Sequence, residues 1–207
     1  MENLLITIGI AFASLFPVIN PLGAIPVFCS LTSDNSEEYR RKMALKTAIN
    51  VFFILIVFFF MGELLLDFFG ISLGVLKIAG GLIVAHTAWE MVSGRHKLSK
   101  EENSEVELKE DISFTPMALP LLSGPGAIGV VIGLTNTNQN HLIFYSGTCI
   151  GILLIALTAF ISLKLSIPLF NLLGKTGIGV LNRIMGFFIL AIAVQLVING
   201  YFSILNP

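Results

Sequence analysis

Charge is what this chain has least of. Only 12% of its 207 residues are Asp, Glu, Lys or Arg, about half of the roughly 25% usual in soluble domains. No charged residue lies between Asn3 and Ser33, and none between Ile112 and Leu163. A soluble domain is thereby excluded. The formal net charge is -1 and the basic residues form no patch, so nothing points to nucleic acid. Two cysteines, Cys29 and Cys149, both sit in apolar stretches and make no disulfide framework; they read as free thiols. There is no His-Glu-x-x-His, no Walker phosphate loop and no cysteine cluster, so no metal, cofactor or enzyme activity is expected. A transporter here would run on gradients rather than ATP. The first residues lack a positive n-region and an A-x-A-like site, which predicts an uncleaved first helix.

What is present is apolar length. The chain is 55% hydrophobic with a mean hydropathy of +0.90, and a spanning helix needs about 20 apolar residues. The pattern predicts six spans near 4–30, 44–69, 76–94, 115–134, 142–172 and 181–203. Between the first two, Asp34 or Ser36 can cap a helix whose first turn carries Glu37 and Glu38, a placement that suits the positive end of a helix dipole. Gly129-x-x-x-Gly133 and Gly147-x-x-x-Gly151 predict close helix contacts, within the monomer rather than between copies.

Lys and Arg set the orientation. Eleven of the twelve fall on loops one, three and five, and only Lys77 falls on the opposite set. Loops one, three and five are therefore expected in the cytoplasm and both termini outside it. The stretch from Ser93 to Ser113, rich in Lys and Glu, reads as a mobile cytoplasmic linker.

Two stretches of the chain repeat each other. Pro17-Val-Ile-Asn-Pro-Leu-Gly-Ala-Ile-Pro-Val27 and Pro120-Leu-Leu-Ser-Gly-Pro-Gly-Ala-Ile-Gly-Val130 match at a constant offset of 103. Near the end of each half an offset of 106 pairs Lys77 with Arg183, Gly80 with Gly186, Ile83 with Ile189 and Gly94 with Gly200. Three spans per half is an odd number, so the second half enters the membrane from the opposite face. The expected fold is all-α: a 3+3 inverted-topology repeat with broken helices 1 and 4. Its parts are a first repeat at 1–94, a linker at 95–114 and a second repeat at 115–207.

The broken segments are the candidate binding site. Pro and Gly interrupt helices, and a matched pair of interrupted spans points to a transporter's site. Asn20, Pro21, Gly23, Ala24 and Pro26 in the first half answer to Ser123, Gly124, Pro125 and Gly126 in the second. Asn20 and Ser123 are equivalent and offer neutral polar groups. Helix restarts present bare N–H groups that can hold an anionic group. Simple kinking is the plain alternative for a lone Pro; two matched breaks favour function. Gln195 in the last span is read equally as a polar-path residue and as an interhelical bond. His86, with Glu90 one turn on, is a candidate proton or polar path, against the alternative of a packed neutral histidine.

At this point a family resemblance appears. Asn20-Pro-Leu-Gly-Ala-Ile-Pro26, Ile78-Ala-Gly-Gly-Leu82, Pro116-Met-Ala-Leu-Pro-Leu-Leu-Ser-Gly-Pro-Gly-Ala-Ile128 and Arg183-Ile-Met-Gly186, with Gln195 and Asn199-Gly200, resemble the MarC family over essentially the whole chain. The resemblance implies a multi-pass protein of the prokaryotic inner membrane, with six spans, related to LysE-type exporters. It also implies the transport of small neutral amino acids. His86 is not part of the family's pattern.

The leading expectation is a secondary transporter of a small solute, glycine- or alanine-like, working by alternating access. It would couple to H+ or Na+, sit in a lipid bilayer and form a homo-oligomer as an option. The competing class is a membrane scaffold or regulatory subunit, with the segment from Ser93 to Ser113 as its docking element.

Overall fold

The structure, a computed structural model, describes residues 2–94, 111–135 and 141–205. The central linker at 95–110, with Arg95, Lys97, Lys100 and Lys109, lies outside the described residues, as do the polar loop 136–140 and Pro207. The described residues form eight helical elements: α1 (Glu2–Ile19), α2 (Ile25–Leu31), α3 (Glu37–Phe69), α4 (Leu73–Ser93), α5 (Ser113–Leu122), α6 (Pro125–Gly133), α7 (His141–Lys164) and α8 (Ser166–Leu205). No strand occurs among them. Four helices are long and apolar enough to cross a membrane, and a fifth span results if the bent pair α5 and α6 counts as one.

Local chemistry sets the helix ends. Ser36 caps α3, its Oγ accepting from the Tyr39 N–H at 3.2 Å, with Glu37 and Glu38 in the first turn. Of the two expected caps, Ser36 is the one used. α3 stops at Gly70 and α4 at Gly94, both left-handed at φ 64° and φ 70°, a conformation glycine adopts without penalty. Ser72 caps α4 through the Val75 N–H at 3.4 Å.

Some boundaries differ from the sequence expectation. The fifth span, expected over 142–172, ends at Lys164. The next residues begin α8, which breaks at Gly174 (φ 63°, ψ 174°) before a continuous Thr176–Leu205. The apolar residues Leu165, Ile167, Leu169, Phe170 and Leu172 continue past the end of α7, so hydropathy alone extends the fifth span to 172. The Gly174 break itself falls in the expected fifth loop, beside Lys175.

Packing relies on small residues, as expected where lipid is as apolar as the helices themselves. Gly147 and Gly151 of α7 lie against α1: a Cβ at Gly147 would come within 2.8 Å of Thr7 Cβ, and one at Gly151 within 2.7 Å of Ala11 Cβ. The expected intramolecular use of that motif is observed. α4 and α8 meet along a glycine seam. A Cβ on Gly200 would lie 2.6 Å from the Gly74 carbonyl, and one on Gly81 2.9 Å from the Ala193 carbonyl. At the other end of the seam, Gly186 sits on Met91 and Ala88. The large apolar residues Phe53, Phe60, Leu64 and Phe68 of α3 and Phe187 and Phe188 of α8 are exposed, as a lipid-facing surface requires.

These contacts also fix relative directions. Thr7 pairs with Gly147 and Ala11 with Gly151, so α1 and α7 run parallel. Lys46 bonds Asp111, Asn50 bonds Ser113 and Gly62 meets Ile132, so α3 runs parallel to α5 and α6. Gly74 with Gly200 and Gly186 with Met91 make α4 and α8 antiparallel.

Candidate functional site

The chain breaks twice, and the two breaks are built differently. The first lies between α1 and α2. Asn20 ends α1 with φ 46°, a left-handed geometry that asparagine tolerates better than other side-chain-bearing residues. Its N–H donates to the Phe16 carbonyl at 2.9 Å. Its side chain curls back, and Oδ1 accepts the Gly23 N–H at 3.1 Å while Nδ2 approaches Met91 Sδ at 3.6 Å. A Cβ on Gly23 would fall 2.1 Å from Asn20 Nδ2. Gly23 therefore makes room for the Asn20 carboxamide. α2 then restarts with Pro26 in its first turn, where a missing N–H costs nothing.

The second break lies along α5 and into α6. Thr115 and Leu119 are extended (φ -121°, ψ 122° and φ -122°, ψ 128°), as residues preceding proline prefer. The remaining turns are wide: the Met117 N–H reaches the Ile112 carbonyl at 3.2 Å and the Ser123 N–H the Ala118 carbonyl at 2.7 Å. α6 restarts after Gly124 with Pro125 in its first turn, and α5 and α6 are bent by 62°. The sequence leads to the expectation that 124–128 is non-helical or sharply kinked; the 62° bend supplies the kink, while the irregular backbone ends at Gly124 and Pro125 to Ile128 form the first turn of α6. The Ile128 N–H is taken by the Gly124 carbonyl at 3.1 Å, which leaves Gly126 and Ala127 as first-turn N–H groups with no acceptor in the helix. A Cβ on Gly126 would lie 2.2 Å from Val84 Cγ2.

Both breaks reach one cavity of about 460 Å³, within the size range of small-molecule sites. Of the residues expected from sequence, Asn20, Gly23, Ala24, Gly124, Pro125, Gly126 and Glu90 line it. Pro21 and Pro26 stand beside it without lining it. Ser123 is fully buried, and its Oγ has no hydrogen-bond partner among the described residues. Gln195 is not brought to the cavity; it is exposed on α8 and donates to Asn199 Oδ1 at 2.8 Å, one turn along the same helix. His86 is also outside the lining, its side chain 75% exposed and its Nε2 3.7 Å from Glu90 Oε1. Of the proposed proton or polar path, only Glu90 faces the cavity.

The cavity also has walls that sequence reasoning did not include. Thr87, Met91, Pro116 and Pro120 contribute. The signal for the prolines was available, because Pro116 and Pro120 stand four residues apart at the start of the second break. Thr87 and Met91 carried no distinguishing signal, since their role depends on which face of α4 turns inward. Among the described residues no group of three His, Cys, Asp or Glu is placed to hold a metal ion. Polar chemistry at the cavity comes from the Asn20 carboxamide, Thr87, the Glu90 carboxylate and the start of α6.

A clasp lies at the start of the second break. Lys46 of α3 bonds Asp111, whose Oδ1 also accepts from Ser113 Oγ at 2.6 Å and Ser113 N at 2.9 Å. The Lys46 ammonium, with these Ser113 bonds, lowers the Asp111 carboxyl from its ordinary 3.8 to about 2.

Comparison with known proteins agrees with this architecture. The family model for the MarC family integral membrane protein matches residues 5–205. A membrane protein of Escherichia coli (strain K12), YhcE, is 37% identical over 192 residues, covering 91% of this chain and 89% of the relative. A membrane protein of Aquifex aeolicus (strain VF5) is 37% identical over 202 residues, covering 95% and 92%. The inner membrane protein MarC of Escherichia coli O1:K1 / APEC is 34% identical over 218 residues, covering 100% and 99%. No solved structure matches. With the family model spanning nearly the whole chain and relatives of this identity along its full length, the protein belongs to the MarC family of integral membrane proteins.

Proposed function

We propose that this chain is a secondary transporter of small neutral amino acids, working by alternating access in the prokaryotic inner membrane. It is not an enzyme. The observation that carries the reading is that two matched helix breaks, far apart in sequence, line one cavity. Paired broken helices around a shared pocket are how transporters place backbone polar groups at membrane depth.

The fold proposed with it is six crossings in two inverted halves, with α1 and α2 as one broken crossing and α5 and α6 as its counterpart. The helix directions support this. Strict alternation of six crossings makes the first and fifth parallel, the second and fourth parallel, and the third and sixth antiparallel. Those are the directions of α1 with α7, α3 with α5 and α6, and α4 with α8. The basic residues place the 94–112 side in the cytoplasm and both termini outside.

The substrate class rests on the polar groups at the cavity. The start of α6 offers partial positive charge to a carboxylate. Glu90 and the Asn20 carboxamide offer acceptors to an ammonium group. Glycine-rich walls favour small side chains. The test is uptake of labelled glycine, alanine and larger amino acids into proteoliposomes, under imposed H+ and Na+ gradients. Saturable flux of the small ones is expected. No flux above empty liposomes across that panel, from monodisperse protein, would leave the scaffold or regulatory-subunit reading in its place.

A further inference from the structure

The cavity is symmetric at its centre and one-sided at its rim. Under the repeat offsets, Val18 pairs with Leu121, Ile19 with Leu122, Gly23 with Gly126, Ala24 with Ala127 and Ile83 with Ile189. Both members of all five pairs line the cavity. The rest of the lining has no such partner in place. Asn20 lines it and Ser123 does not. Val84, Thr87, Glu90 and Met91 of α4 line it, whereas their counterparts on α8, Leu190, Ala193, Leu196 and Val197, do not. Of the unmatched residues, Thr87, Glu90 and Met91 lie on the half of α4 that ends at Ser93, and Pro116 and Pro120 lie on α5, which begins at Ser113.

From this we infer that the molecule has a second solute-contacting surface, formed by Ser123 with Leu190, Ala193, Leu196 and Val197, and uncovered when the two breaks exchange their arrangements around α4 and α8. The two breaks have related sequences, so each arrangement is available to each half. Ser123 is the strongest local sign. It occupies the position of Asn20, it is wholly buried, and its hydroxyl has no partner among the described residues. A buried hydroxyl without a bond is penalised, and exposure to a polar solute would relieve that. The two surfaces differ chemically. The one seen here carries Thr87 and Glu90; the other carries Ala193 and Leu196 at those places. A solute's ammonium group thus meets a carboxylate from one side of the membrane only.

This rests on the inverted-repeat transporter reading, and the experiment separates the two. In a Cys29→Ala, Cys149→Ala background, single cysteines are introduced as Thr87→Cys, Ala193→Cys and Leu196→Cys. Each is exposed to a membrane-impermeant thiol reagent in right-side-out and inside-out vesicles, with amino acid flux measured in parallel. Leu196→Cys covers the case in which Ala193→Cys, at a packed position, fails to fold. Thr87→Cys should be modified from one face, and Ala193→Cys or Leu196→Cys from the opposite face, at least tenfold more slowly. Adding Thr87→Trp, which props the present cavity open, should abolish that opposite-face modification. Opposite-face labelling supports the second surface whichever face is which. Modification from the same face as Thr87→Cys, or none in folded protein, overturns it. If flux persists in that case, the second surface alone falls; if the unsubstituted protein shows no flux, the transport reading falls with it.

Discussion

The break between α1 and α2 and the break along α5 descend from the same sequence pattern, yet they settle their backbone differently. In the first, one side chain does the work: Asn20 turns left-handed and folds its carboxamide onto Gly23. In the second, two prolines open the helix over ten residues, and the hydroxyl at the position of the Asn20 carboxamide is sealed in with no hydrogen-bond partner among the described residues. One break is held by its own side chain. The other is propped from outside, by the Lys46–Asp111 clasp to α3. Repeats of one design can therefore satisfy their backbones by different means around one cavity.

The largest effect on this contrast is expected at the glycines. Gly126→Ala places a methyl 2.2 Å from Val84 Cγ2, and Gly23→Ala places one 2.1 Å from the Asn20 amide nitrogen. Overpacking of this kind costs about 1–3 kcal/mol. Both variants should insert but lose uptake to near background. Gly9→Ala, with nothing within 4 Å of the new methyl, should transport normally. Val84→Ala should restore uptake to Gly126→Ala and leave Gly23→Ala inactive. Equal rescue of both would show that the two breaks do not differ as described.

Next comes Asn20. Asn20→Ala removes the carboxamide and puts alanine at φ 46°, a strain of roughly 1–2 kcal/mol added to a lost hydrogen bond of about 1 kcal/mol. Asn20→Gly removes the same carboxamide without the strain. Thermal stability in detergent should fall for both variants and by more for alanine, which adds the backbone strain, while both weaken solute-induced thermal shifts. If glycine binds solute like the parent, Asn20 serves the turn alone.

Ser123→Ala should go the other way on stability. It deletes a buried hydroxyl that has no partner, so melting should be unchanged or slightly higher, by up to about 1 kcal/mol. Uptake should nevertheless slow. A clear loss of stability would mean that Ser123 is already bonded in the resting state.

The smallest effect concerns the clasp. Asp111 has its carboxyl lowered to about 2 from 3.8. Its contribution to stability is therefore present above about pH 4 and fades as pH falls through about 2. Both side chains are more than 40% exposed, so solvent screening holds the value below about 1 kcal/mol. Asp111→Asn should lower the melting temperature slightly at pH 6, and the difference from the parent should vanish near pH 2. A difference that persists at pH 2 would assign the effect to the Ser113 bonds.

The order in which the sequence yields these features has a physical basis. Proline and glycine act on the backbone wherever they stand, so both breaks and the small-residue contact of Gly147 and Gly151 were legible, as was the cap at Ser36. Helical phase was not. Gln195 and His86 were placed at membrane depth by counting residues, but which way they face depends on how α4 and α8 roll against each other, and the glycine seam decides that. The end of α7 at Lys164 was passed over because the apolar residues continue to Leu172. The left-handed Asn20 was hidden as well, since its conformation depends on Gly23 leaving space three residues later.

That seam has a mechanical consequence. Where Gly74 meets Gly200 and Gly81 meets the Ala193 carbonyl, the two backbones come close, and Ile78, Val197 and Ile204 fill the places of the missing side chains. Each glycine is thus a hole that receives a knob from the facing helix, and interlocked knobs resist rotation and sliding. α4 and α8 form a stiff mast, and the broken helices are the parts of the molecule left free of that interlock.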